Sequence, residues 1–207
     1  MMVSPMQKIS LHVRDLLSDR SGLAAVEFAM IFPIMVVLYF GVVEFSSAIA
    51  VDRKATQVAR TLSDLTSQSM SVADADIKNF GEAAKAIMTP YPPSPLVSSI
   101  TEVYIDSVSG VARVQWSKGL TIGVTGDVSI AAAAPHNPGD VVTLPTSLVV
   151  AKGTFVIWSE VSYQYTPAVG VVLKGLPPFR DVAYTRPRLV LCVTYPTAGL
   201  SDCAAPK

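Results

Sequence analysis

A long run of residues without charge lies near the N-terminus and limits what this chain can fold into. The sixteen residues 28–43 read FAMIFPIMVVLYFGVV, and the wider stretch 23–51 contains only two charged residues, Glu27 and Glu44. A helix that crosses the hydrocarbon core of a bilayer needs about 20 mostly apolar residues. The run therefore predicts a transmembrane helix over residues 23–50.

The run differs from a secretory signal peptide. Its apolar core is longer than the usual length of about 7–15 residues, and it follows a rather polar N-terminal stretch. An uncleaved anchor is the simplest alternative. Three Lys or Arg residues precede the run and three lie in residues 51–60, so the charge balance does not indicate which end is cytoplasmic.

The overall charge excludes one large class of function. The chain has 16 Lys and Arg residues and 16 Asp and Glu residues, so its formal net charge is zero. A protein that neutralises phosphates needs a basic excess, and we therefore expect no nucleic-acid partner. Only 15% of residues are charged, against roughly 25% in ordinary soluble domains.

The two cysteines, Cys192 and Cys203, lie close together near the C-terminus. The segment between them contains Pro196, Gly199 and Asp202, which favour a turn, and a loop of this kind can close a disulfide. Such a bond forms in an oxidising compartment, for example a periplasm. The alternative is two buried free thiols.

A glutamate lies five positions after a glycine at the start of the apolar run. Gly22 is followed by Leu-Ala-Ala-Val and then Glu27 and Phe28, after a short basic prefix. This arrangement resembles a type IV prepilin signal of the Flp type. Since a charge inside a membrane helix costs a few kcal/mol, Glu27 is expected to have a purpose. The alternative is a residue that snorkels to the lipid headgroups.

The resemblance extends along the whole apolar run. The stretch 21–47 reads SGLAAVEFAMIFPIMVVLYFGVVEFSS and is similar to the TadE-like family of minor pilins or pseudopilins of tight-adherence (Tad, Flp-type) pilus systems. The similarity rests on a combination of small, acidic and proline positions at fixed offsets: Gly22, Ala25, Val26, Glu27, Phe28, Pro33, Gly41 and Glu44.

The resemblance implies a processed pilus component. Residues 1–22 would be a leader that a prepilin peptidase removes between Gly22 and Leu23. Glu27, with Phe28 beside it, would then neutralise the amino terminus of a neighbouring subunit during assembly. The implied partners are this peptidase, other pilins or pseudopilins, the assembly platform and the membrane. The implied location is the bacterial inner membrane, with a single pass and a periplasmic C-terminal domain. The rival interpretation is an uncleaved anchored envelope domain that binds a protein or a cell-wall ligand.

Helical periodicity continues beyond the apolar run. Apolar residues recur at intervals of three and four through residues 51–65, which predicts one helix over about 24–66. Pro33 predicts a bend or a melted turn, and Gly41 predicts a flexible point or close packing against another helix. Both residues are also common in membrane helices without a special role. A second helix is predicted over 74–88, within a helical region 51–89.

The remainder of the chain has β character. A Pro-rich stretch, 90–99, predicts a stiff linker, and residues 100–207 predict a β-rich domain. Strands are expected at 100–108, 111–118, 121–130, 154–165 and 186–195. The apolar loop 167–179 is either a contact for another subunit or a flap over the sheet. The fold class is therefore α+β, with a long N-terminal helix on a small antiparallel sheet, as in pilins.

Enzymatic motifs are missing from the sequence. It contains no Gly-x-Ser-x-Gly motif and no phosphate-binding glycine loop. The two histidines, His12 and His136, lie far from each other and from the cysteines, so no metal site is predicted. His136 is expected to be a lone surface residue in a loop. We therefore predict no catalytic residues and no cofactor.

Overall fold

The computed structural model describes residues 22–131, 134–167, 169–170, 172–173, 175–196 and 203. The predicted leader lies outside these residues except for Gly22. The helices are α1 (Leu23–Ser67), α2 (Asp74–Met88) and the short α3 (Thr146–Val149). The strands are β1 (Leu96–Ile105), β2 (Ala112–Ile122), β3 (Val128–Ile130), β4 (Val141–Val142), β5 (Thr154–Tyr163) and β6 (Phe179–Thr185). The predicted α+β class with a long N-terminal helix is confirmed.

Helix α1 contains 45 residues, which at a rise of 1.5 Å per residue gives a length of about 68 Å. The predicted span of 24–66 differs from the observed one by a single residue at each end. The helix continues through Pro33, so no melted turn forms there. Helix α2 has the predicted bounds, and the Asp76 side chain accepts a hydrogen bond from the backbone N–H of Ala73 at its start (2.9 Å).

The C-terminal half of α1 packs on one face of the sheet through small and medium apolar residues. Small side chains at Ala55 and Ala59 let the helix lie close to the strands. The hydroxyl of Ser159 on β5 donates a hydrogen bond to the carbonyl of Ala59 (2.5 Å). The helix residues in this core are Ala48, Val51, Ala55, Val58, Ala59 and Leu62.

All strand pairs in the sheet are antiparallel, in the order β3-β2-β1-β5-β6, and β4 also pairs with β2. The central strand β1 pairs with β2 and β5, and a register shift between Glu102 and Val103 interrupts the β1–β2 pairing. A second, smaller apolar cluster contains Val103, Ile105, Ala112, Leu144 and Val156. The sheet is therefore packed on both faces.

The linker formed by the Pro-rich stretch is shorter than the predicted range of residues 90–99. Strand β1 begins at Leu96, inside the stretch 90–99, because pairing with both β2 and β5 satisfies the backbone of Ser98 and Ser99. The preceding prolines also contact the domain, since the Tyr163 hydroxyl donates a hydrogen bond to the carbonyl of Pro92 (2.9 Å). A hairpin that includes Gly110 joins β1 to β2, and the φ of 74° at Gly110 suits glycine.

The prediction of a final strand over 186–195 is wrong. The last strand is β6, which pairs with β5, and the described residues that follow form an irregular tail in which Thr194 bridges to Ser71. Pro187 has no N–H for a ladder. The tail instead packs on the end of α1, where the N–H of Arg188 donates to the carbonyl of Ser67 (2.9 Å).

Candidate membrane anchor and assembly site

The N-terminal part of α1 has the surface of a membrane helix. We call residues 23–43 the anchor segment. None of them is buried, although most are large and apolar. The most apolar 18-residue window of α1 has a mean hydropathy of 2.3, and none of that window is buried. The helix is therefore long and apolar enough to cross a bilayer.

The N-terminal end of the anchor segment contains the predicted processing residues. The helix begins at Leu23, and the carbonyl of Gly22 accepts the N–H of Val26 (3.1 Å). Glu27 is exposed one turn further along, and the Phe28 ring lies 5.5 Å from the Phe32 ring. Gly22, Leu23, Glu27 and Phe28 therefore form one exposed end of the helix.

The other end of the anchor segment contacts the apolar loop that follows β5. We call the described residues 169–170, 172–173 and 175–179 of this loop the flap. Val171 of the same loop lies outside the described residues. Gly41 faces Val172, whose Cγ2 atom lies 3.4 Å from the position that a Cβ at Gly41 would occupy. Gly41 thus packs closely, but against the flap within the same chain.

Glu44 joins the helix to the flap. Its side chain is 2% exposed, and Oε2 accepts hydrogen bonds from the backbone N–H groups of Val172 (3.1 Å) and Leu173 (2.8 Å). Hydrogen bonds from N–H groups to a carboxylate oxygen are charge-assisted and therefore strong. The sequence singled out Glu44 as unusual, and the structure gives it this positioning contact.

The flap packs against the edge of the core between α1 and the sheet, in keeping with the predicted flap, whereas a contact with another subunit stays a prediction. Its apolar side chains pack against α1 beyond Glu44, around Phe45, Ala48 and Ile49. The flap residues on this surface are Leu173, Leu176 and Phe179. The site therefore has two ends, an exposed one at Gly22–Phe28 and a flap-covered one at Gly41 and Glu44, with Pro33 between them in the exposed anchor segment.

A family model described as "TadE-like protein" matches residues 22–63. Over these residues the chain is similar to the TadE-like family. The match covers α1 almost to its end and leaves the sheet outside. Comparisons with curated proteins and with solved structures find no match. The resemblance derived from Gly22, Glu27, Pro33, Gly41 and Glu44 is thereby confirmed.

Beyond the TadE-like segment, Cys192 and Cys203 form a disulfide, with 5.6 Å between their Cα atoms. The alternative of two free thiols is therefore wrong. Cys192 is 2% exposed, whereas Cys203 is exposed. The bond closes a loop at the end of the tail that packs on α1.

A buried carboxylate next to this tail was missed by the sequence analysis. Glu102 on β1 is fully buried; Oε1 accepts the N–H of Val193 (2.6 Å), and Oε2 accepts the indole N–H of Trp116 (2.9 Å). Burial raises the pKa of Glu102 to about 8, and the bonds from Val193 and Trp116 oppose that rise. The sequence signal for this buried carboxylate is that Glu102 is the only charged residue in the strand sequence LVSSITEVYI.

His136 is less isolated than predicted. Its Nε2 lies 3.1 Å from Oε2 of Glu160, and its ring stacks on Trp158 with 4.8 Å between centroids. It belongs to the outer face of the sheet, away from the TadE-like segment. The described residues include no group of three or more His, Cys, Asp or Glu that could hold a metal ion.

Proposed function

We propose that this chain is a structural minor pilin or pseudopilin of a tight-adherence (Flp-type) pilus system. The TadE-like match over residues 22–63 indicates a protein associated with a Tad pilus, and this family is structural rather than enzymatic. The observation that carries the proposal is the contrast within α1. One half packs in the domain, and the other half is an apolar surface that the described residues leave uncovered.

The anchor segment crosses the inner membrane in this proposal, and the sheet domain lies in the periplasm. A helix that is apolar on all sides needs lipid or other helices around it. The disulfide between Cys192 and Cys203 supports a periplasmic domain, since such bonds persist in oxidising compartments. Among the described residues one helix is long and apolar enough to cross a bilayer, which supports a single pass.

A prepilin peptidase removes the leader after Gly22 in this proposal. Since α1 begins at Leu23, cleavage at this bond would make the new amino terminus the first residue of the helix. Glu27 follows four residues later, which is about 6 Å along the axis. A positive terminus and a carboxylate then lie on successive turns of the same exposed helix end.

Assembly follows from the pairing of these charges between subunits. An amino terminus and a carboxylate attract each other much more strongly in a packed helix core than in water. A misplaced subunit would leave a buried charge without a partner, which costs several kcal/mol. Glu27 would therefore set the register as the anchor segments of this chain and other pilins pack together against the assembly platform.

The proposal is tested by identifying the N-terminus of the protein in membranes from cells with and without the prepilin peptidase. We expect a terminus at Leu23 in the first cells and an intact leader in the second. An intact leader in piliated cells would support the rival, an uncleaved envelope domain that binds a protein or cell-wall ligand.

The role of Glu27 has a separate test. Glu27→Ala should be processed normally but should lower piliation in cells that depend on this chain. Glu82→Ala is the matched control, because Glu82 is an exposed acidic residue of α2, where it pairs with Lys85 (3.3 Å). Normal piliation in Glu27→Ala cells would exclude the pairing role.

A further inference from the structure

The flap contacts α1 at a defined distance along the helix axis from Leu23. From Leu23 to Glu44 there are 21 helical steps, which correspond to about 32 Å. The hydrocarbon core of a bilayer is about 30 Å thick. If Leu23 lies near one boundary of this core, Glu44 lies near the other. Val172 and Leu173, whose N–H groups bond to Glu44, then lie at the same boundary.

The flap presents an apolar surface at this height. Leu173 and Leu176 face α1 and the core, whereas Val169 is 51% exposed and Val172 is 49% exposed. Between Val172 and α1 runs an open apolar groove of about 480 Å³, whose helix side includes Val37, Leu38, Val42 and Phe45. The groove continues directly onto the lipid-facing surface of the anchor segment.

The bonding of the flap backbone suits an apolar environment. In the hydrocarbon region no water is available, so each unsatisfied backbone group costs several kcal/mol. Glu44 removes this cost for two successive N–H groups of an irregular segment. A buried carboxylate on a membrane helix thus has a purpose that differs from that of Glu27.

We propose that the flap is a second membrane-contacting element, which inserts Val169 and Val172 into the boundary of the bilayer beside α1. The inference rests on the proposed membrane anchorage. Lipid is the occupant that fits, because the exposed flap surface and the anchor segment form one continuous apolar surface. Since a single helix can rotate about its axis, a second contact restricts the orientation of the sheet domain relative to the membrane.

The test uses the full-length protein in phosphatidylcholine/phosphatidylglycerol nanodiscs, labelled with a fluorophore after the disulfide has formed. Single labels replace Val172 in the flap, Leu38 in the anchor segment or Val124, which is 94% exposed in the loop between β2 and β3. We expect quenching by spin-labelled lipids at Val172 from shallow positions and at Leu38 from deep positions. The label at Val124 should respond only to aqueous iodide.

The outcomes separate the two proposals. Iodide quenching at Val172 equal to that at Val124, with Leu38 still quenched by lipid, would overturn the flap proposal and leave the anchor intact. Protection of Val172 from both quenchers would also overturn it, in favour of a contact with another protein subunit. A label at Leu38 that responds to iodide would reject the anchorage itself.

A variant at Glu44 provides a second readout. Glu44→Ala removes the acceptor for Val172 and Leu173, so the label at Val172 should lose its lipid quenching while the label at Leu38 keeps it. Glu82→Ala should change neither label. Unchanged lipid quenching at Val172 in Glu44→Ala would show that Glu44 does not hold the flap at the membrane.

Discussion

The two halves of helix α1 have the same backbone and different surroundings. In residues 23–43 apolar side chains lie on every side, and none is buried in the part of the chain that the structure describes. In residues 44–67 buried apolar residues such as Val58 and Leu62 lie on one side, and exposed charged residues such as Arg53 and Arg60 lie on the other. One face of a helix suffices for packing on a sheet, whereas an all-round apolar surface requires lipid or other helices.

The largest expected effect comes from placing the same charge in each half. Val58→Asp buries a carboxylate without a partner in the core, since Val58 is 0% exposed, and should destabilise the domain by at least about 4 kcal/mol. Leu38→Asp leaves the domain folded but lowers membrane insertion by about 2.5–3.5 kcal/mol.

Thermal unfolding of both full-length variants in detergent measures the first effect, and membrane fractionation measures the second. If Leu38→Asp unfolded the domain as Val58→Asp does, the two halves would not be independent. The two halves of α1 would then differ in composition but not in their role in the folded domain.

A second prediction concerns Glu102, far from the anchor segment. The unfolded chain releases this proton near pH 4.5, whereas burial holds the folded-state pKa at about 8. Between these values the folded chain binds more protons, so the free energy of unfolding falls as pH rises from about 4.5 to about 8. The contribution is a few kcal/mol at most.

Glu102→Gln isolates this contribution, because glutamine has nearly the same shape and does not titrate. Urea unfolding across this pH range should show a smaller loss of stability with rising pH in the variant than in the native chain. Parallel pH profiles for the two proteins would mean that Glu102 is not the group responsible.

The disulfide gives the next effect. Replacing both Cys192 and Cys203 by serine opens a short loop, which in the loop-entropy description costs roughly 2–3 kcal/mol. The loss should appear in the unfolding of the sheet domain, while membrane fractionation of the anchor segment stays unchanged. A change in fractionation with no change in unfolding would contradict this assignment of the bond to the domain.

The smallest effect is expected at Gly41, where the two halves of α1 meet. Gly41→Ala places a Cβ 3.4 Å from Val172 Cγ2, an ordinary contact, and should change stability by less than about 1 kcal/mol. Gly41→Leu should displace the flap and speed hydrogen exchange at the amides of Val172 and Leu173. Equal exchange rates in the two variants would show that the close approach is not required.

The sequence predicted the helices well because their signals are local. Helix α1 differs by one residue at each end from the predicted 24–66, and α2 matches 74–88, since apolar spacing and turn residues determine both. The disulfide pair and the unusual position of Glu44 were also visible. These features depend on residues that are near one another in the chain.

The remaining features depend on contacts between distant segments. The last strand is β6 and not the predicted 186–195, because pairing with β5 and docking of the tail on the end of α1 decide the structure there. The partner of Glu44 lies 128 residues away in the flap, and Glu102 meets Val193 across 91 residues. No local pattern indicates such partners.

Photo-crosslinking in piliated cells tests the central claim most directly. A light-activated residue at Leu38, in the anchor segment, should capture another pilin-type subunit or the assembly platform, and the product should disappear in cells without the pilus system. The same residue at Val124 serves as the control on the sheet domain. If Leu38 in piliated cells yields no protein crosslink that depends on the pilus system, the claim that this helix acts by packing in pilus assembly is contradicted.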